Sequence, residues 1–275
     1  MAGRRKKRRE ILTYIALSIG IVIVLAPVFY MVMVALTPHD LLFDRIIPER
    51  VTFKNLLEVF SNDNIMLPYR NSFIISSLTA LITLFLASLA AYGLSRFKFK
   101  MSGMFIVMIL FTQIIPMEIL VLSYFPFLKT AGLMDTWVAL VLVDTTLTLP
   151  FCILILKTIF DGIPKEIEDA AKVDGCSSFK TFTRVTLPLS WGGMLAAGIF
   201  AFLMAWQEFV YGLTFTASLE ARPITVALNL LIGHYVVSWE ELMATSFLTA
   251  LPLLVVFAIF QGVFVRGMIA GGVKG

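Results

Sequence analysis

Six stretches of this chain run apolar for about the thickness of a bilayer: residues 11–36, 71–94, 103–125, 137–160, 190–214 and 245–265. A bilayer core is ~30 Å thick, so a spanning helix needs about 20 mostly apolar residues. Hydrocarbon offers a bare backbone no hydrogen bonds, so such runs must be helices or a closed barrel. Barrel strands are about ten residues long with alternating character, and these runs are longer and uniformly apolar. The expected fold is therefore all-α: a polytopic membrane bundle of six transmembrane helices.

Composition agrees. Of 275 residues, 59% are hydrophobic and only 15% charged, more apolar surface than a soluble domain can cover. Lys and Arg then set the orientation. With both termini cytoplasmic, the inside segments are 1–10, 95–102, 161–189 and 266–275. Together with Lys157 they hold 16 of the 22 Lys and Arg. The basic run "RRKKRR" (4–9) reads as a topology signal that also attracts anionic lipid. Nothing folded surrounds it, so no nucleic-acid partner is expected. The first apolar run exceeds the usual 7–15 residues of a signal peptide and lacks a convincing cleavage site, so it is read as a retained span, bent at Pro27. The chain divides into a basic N-terminus (1–10), one transmembrane domain (11–265) and a cytoplasmic tail (266–275).

Candidate chemistry is sparse. No Walker A pattern occurs, so the chain does not hydrolyse nucleotide by itself. His39 and His234 are far apart in sequence, Cys152 and Cys176 favour no disulfide, and no metal-ligand spacing exists. In the outside segment 37–70, apolar residues at 53, 56, 57 and 60 predict a short helix that packs on its own bundle or lies in the interface. Segment 215–244 is a longer outside loop, either re-entrant or touching something beyond the membrane.

One long polar segment, "EIEDAAKVDGCSSFKTFTRVTLP" (166–188), lies among the inside residues 161–189. A helix is predicted over 163–174, with Pro164 at its first position, acids near its positive end and Gly175 as its stop. Ile163, Ile167, Ala170 and Ala171 share a face. Ser177 or Ser178 caps a second helix, on which Phe179, Phe182 and Val185 share a face. A solvated loop explains the charge, but not the small-residue face, the glycine stop or the phenylalanines. A docking elbow explains all of them.

At these residues the sequence resembles the membrane subunits of ABC importers, whose motif is E-A-A-x3-G-x9-I-x-L-P. Here it reads Asp169-Ala170-Ala171, Gly175, then Val185-Thr186-Leu187-Pro188, with every spacing kept and Asp and Val replacing Glu and Ile. The stretches 70–100, 132–142, 205–213 and 264–275 are similar to the carbohydrate-uptake, maltose-type branch, with Gln207 where Asn is usual. The resemblance implies a type I ABC importer permease fold that transports but is no enzyme. It also implies a second permease subunit, two ATP-binding subunits that carry ATP and Mg, an extracytoplasmic solute-binding protein and a sugar substrate. This chain itself would hold no cofactor. Glu168, Asp169, Ala170, Ala171, Asp174, Gly175, Leu187 and Pro188 would couple to an ATP-binding subunit.

Polar residues at membrane depth usually face a partner, a cavity or a pathway. Gln113, Glu118, Asp144, Trp206, Gln207 and Glu208 are candidates for a substrate pathway or gate, with an inter-helix hydrogen-bond network as the alternative. Asn229, His234 and Tyr235 are candidates for contact with the binding protein. A secondary transporter driven by an ion gradient is the competing class, because Asp144 and Glu208 are able to carry a proton. No inverted repeat supports it. A membrane enzyme would need a nucleophile–base or metal pair, and none can be named.

Overall fold

The computed structural model describes residues 2–42, 45, 47–97, 100–232 and 237–272, with the backbone alone at 2–6, 8 and 263–272. Every regular element among the described residues is helical. The chain forms two compact units: Met1–Met66 with Leu228–Pro252, and Leu67–Ala227 with Leu253–Gly275.

The first unit opens with α1 (Ala2–Ala35), which continues through Pro27. From Ile11 to Tyr30 its side chains are exposed on every face. A helix that is hydrophobic all round belongs in lipid or inside a larger assembly. α2 (Lys54–Ser61) is the helix expected over 53–60, but it buries Asn55 and Val59. Phe53, Leu57 and Phe60 stay exposed, so its apolar face does not pack on its own unit. The physical reason is Asn55, whose side-chain amide donates to the Ala35 and Thr37 carbonyls at 3.0 and 2.9 Å and turns that edge inward.

The second unit holds α3 from Leu67 on (Asp63–Arg96 in full), α4 (Ser102–Thr112), α5 (Met117–Thr130), α6 (Trp137–Asp161), α7 (Lys165–Val173), α8 (Ser178–Thr181), a π-helical turn (Phe182–Thr186), α9 (Leu187–Leu189), α10 (Trp191–Trp206) and α11 (Val210–Phe215). α12 (Ile224–Leu230) and α13 (Trp239–Gly272) follow, each shared between the units. Small residues bring α10 close to its neighbours, as in many membrane helix pairs. Ala197 and Ala201 are fully buried, and a Cβ on Gly198 would sit 2.7 Å from Leu84 Cδ1. Cys152 on α6 reaches the Ala197 carbonyl at 3.5 Å.

Four helical stretches are long and apolar enough to cross a membrane: Arg9–Ala35, Asp63–Arg96, Trp137–Asp161 and Trp239–Gly262. The runs expected as straight third and fifth spans are broken. α4 and α5 meet at 97°, and Ser178–Leu189 meets α10 at 80°. Counting each bent pair as one span brings the number to six. The first break has a clear cause: Pro116 lacks an N–H, disfavours helical backbone in the residue before it, and itself sits at φ −58°, ψ 133°.

Candidate functional site: the elbow over residues 161–189

The segment is built as the helix–glycine–helix pattern implies. α7 spans Lys165–Val173, slightly shorter than 163–174, with Pro164 just outside it. Gly175 takes φ +86°, the left-handed region that favours glycine. Its N–H donates to the Lys172 carbonyl and that of Cys176 to the Ala171 carbonyl, both at 3.0 Å. This is a Schellman stop, which satisfies carbonyls that the helix end would orphan. Ser177 caps the next helix, accepting from the Lys180 N–H at 3.4 Å.

Glu168 organises the elbow from inside. It is 1% exposed. Its Oε1 accepts from Arg96 Nε and from the Thr186 hydroxyl, both at 2.8 Å. The Tyr92 hydroxyl lies 3.4 Å from Oε2, a weak contact. Arg96 also donates to the Ile163 carbonyl at 3.1 Å and to Ser95 Oγ at 3.0 Å. Ser95 in turn donates to Asp161, which Lys157 also reaches. One carboxylate thus ties α7 to the end of α3 and to the π-helical turn, and Arg96 extends the tie to the end of α6. A buried pair with so complete a set of hydrogen bonds locks geometry more than it adds stability.

The opposite side of the elbow is open. Ile167, Val173 and Phe179 are 44%, 87% and 68% exposed. Asp169, Ala170, Asp174, Gly175 and Pro188 are exposed, and Ala171 and Leu187 half-buried. Asp169 pairs only with Lys172, at 3.0 Å. The face expected to group Phe179, Phe182 and Val185 splits. Phe182 is buried against Tyr92, ring centroids 4.7 Å apart, whereas Phe179 points outward. Phe182 begins the π-helical turn, whose wider winding breaks the 3.6-residue register that such grouping needs.

The membrane-depth candidates divide into two groups. Gln113 and Glu118 flank the α4–α5 bend and are exposed, as is Gln207. Asp144, Trp206 and Glu208 are buried. Glu208 accepts from the Tyr211 and Gly212 N–H groups at 2.7 and 3.0 Å, so it caps the start of α11 after a break in the fifth apolar run. Trp206 packs edge-on to Tyr69 and Phe73 and stacks with Phe202. Asp144 Oδ1 has no hydrogen-bond partner among the described residues. Asn229 is exposed on α12, and His234 and Tyr235 lie outside the described residues.

Sequence reasoning missed Arg96, Tyr92 and Thr186, since Arg96 reads as one more basic residue in a turn. It also missed Asp135, which takes φ 59° and accepts from the Ala217 and Ser218 N–H groups, both at 2.8 Å. Slight burial opposes its charge, but these two N–H groups and Arg222 hold its carboxyl below the usual value. Among the described residues, no three His, Cys, Asp or Glu converge to hold a metal.

Residues 83–270 match the family described as "Binding-protein-dependent transport system inner membrane component". The chain belongs to this family. It is thus a multi-pass inner-membrane permease component, and the elbow lies within the matched region. The sulfoquinovosyl glycerol transport system permease protein SmoH of Agrobacterium fabrum is 33% identical, over 96% of this chain and 94% of that protein. The trehalose/maltose transport system permease protein MalG of Thermococcus litoralis is also 33% identical, over 98% and 99%. A chain of a bacterial ABC transporter involved in the import of the acidic polysaccharide alginate shares the fold, with a TM-score of 0.81 over 94% of this permease and 97% of that chain at 17% identity.

Proposed function

We propose that this permease is the membrane-spanning subunit of an ABC importer for a carbohydrate. It crosses the membrane six times with both termini cytoplasmic, and it forms half of the translocation pathway beside a second permease. Two ATP-binding subunits hydrolyse ATP with Mg below it, and a solute-binding protein delivers substrate outside. Relatives named for trehalose/maltose and for sulfoquinovosyl glycerol support the substrate class.

The observation that carries this reading is the two-sided elbow. One side is fixed to α3, α6 and the π-helical turn through Glu168 and Arg96. The other presents Ile167, Ala170, Ala171, Val173 and Phe179 for an ATP-binding subunit. Asp169, Asp174, Gly175, Leu187 and Pro188 shape that seat, while Glu168 acts through stiffness. A ligand shifts a conformational equilibrium only through differential interaction with the two states. A stiff elbow delivers that difference to the attached helices. Gln113, Glu118 and Gln207 line the pathway, Trp206 and Glu208 frame it, and Asn229, His234 and Tyr235 meet the binding protein.

Gly175 provides the test. A Cβ there meets nothing within 4 Å, so within this chain the cost of Gly175→Val is backbone strain, about 1–2 kcal/mol. Asn tolerates the left-handed region better. In proteoliposomes holding the whole complex, Gly175→Val should abolish ATP-dependent sugar uptake while the subunit still inserts, and Gly175→Asn should retain much of it. Normal uptake by Gly175→Val would count heavily against the elbow as the coupling element.

A further inference from the structure

A polar stripe runs down the buried face of α3. Ser72, Ser76, Thr79 and Thr83 recur at helical spacing, and all are at most 2% exposed. The ends of the stripe are satisfied: Ser72 Oγ accepts from the Ile224 N–H, and Thr83 shares a hydrogen bond with Thr148 of α6, both at 2.8 Å. The middle is not. Ser76 Oγ and Thr79 Oγ1 have no partner among the described residues, and neither has Asp144 Oδ1 on α6.

These oxygens face one another by register. Thr83 meets Thr148, and about three turns further along both helices Ser95 meets Asp161 at 2.5 Å. The two helices therefore run in the same direction and nearly in step. Thr79 and Asp144 each lie one turn before the Thr83–Thr148 contact, on the same faces. Ser76 continues that face of α3. The charged group that Asp144 feels is another carboxyl, Glu208, whose oxygens already hold two backbone N–H groups.

We infer that Ser76, Thr79 and Asp144 form a site for one monovalent alkali cation between α3 and α6. A carboxylate at this depth needs its charge compensated. A water would leave that charge in place. A proton would neutralise Asp144 but would leave the two hydroxyl oxygens without a partner. An alkali cation compensates the charge and takes lone pairs from all three oxygens, with backbone carbonyls or water completing its shell. Divalent ions fit poorly, because hard divalent sites draw on more carboxylates or more oxygens than these. The inference rests on the fold and stands independently of the transported substrate.

The test is thermal unfolding of the purified transporter complex in sodium chloride against N-methylglucamine chloride at constant ionic strength. Binding to the folded state alone raises stability with the logarithm of ligand concentration. A sodium- or potassium-specific rise in Tm of about 2–4 °C is expected for the native chain near saturation. Asp144→Asn should lose that rise and, without alkali ions, unfold at a higher temperature than the native chain. Thr79→Val keeps the charge and should move the cation midpoint about tenfold higher. No alkali-specific rise in the native chain would overturn the site in favour of water or a proton. So would an undiminished rise in Asp144→Asn, or, if that variant fails to assemble, an unmoved midpoint in Thr79→Val.

Discussion

Glu168 and Asp144 are both carboxylates buried to within 2% of full, yet their surroundings are opposite. Glu168 has Arg96, Thr186 and Tyr92 around it, and its cation is buried with it, Arg96 at 8% side-chain exposure. Asp144 has an unpartnered oxygen and a second carboxyl for a neighbour. Burial alone therefore does not say what a charge is for. A carboxylate with a full set of partners fixes geometry, and one without them awaits a ligand.

The sharpest way to break this contrast is to remove the cation from the first site. Arg96→Met leaves Glu168 buried without its counter-charge, which typically costs about 3–5 kcal/mol. The elbow should then open locally, and limited proteolysis should cut between residues 161 and 189 far faster than in the native chain. Unchanged proteolysis would mean that the pair does not hold the elbow. The Asp144→Asn exchange is the mirror image, expected to relieve a charge rather than orphan one.

Asp135 extends the comparison to the surface and should show the smallest effect. Asp135→Ala removes the acceptor for two N–H groups and places alanine in left-handed backbone, a loss of about 1–2 kcal/mol confined to that turn. The folded carboxyl titrates below its ordinary 3.8. Its contribution is therefore full above the unfolded value and fades as pH falls through the folded one. Hydrogen-exchange protection at Ala217 and Ser218 should decline over that acid range in the native chain. In Asp135→Ala it should be low throughout.

The elbow was legible in sequence because its grammar is local. Pro164, Gly175 and Ser177 act on their own backbone, and the apolar runs needed only their length. Features set by neighbours were not legible. Nothing near Glu168 in sequence says that Arg96 will meet it, so a residue expected to face a partner faces inward. The π-helical turn that separates Phe179 from Phe182, the burial of Asn55 on α2 and the 80° break before α10 likewise depend on tertiary contacts. The 97° break was half legible, since Pro116 was visible but the size of the bend was not. Glu208 reads from sequence as an intramembrane charge, and only the chain's return at α11 reveals it as a cap.

The most direct measurement is the number of substrate molecules moved per ATP hydrolysed by the reconstituted complex carrying Glu168→Ala, once assembly of all subunits is verified. A stiff elbow gripped from below implies that hydrolysis continues while uptake per ATP falls about tenfold or more. An unchanged ratio would contradict it.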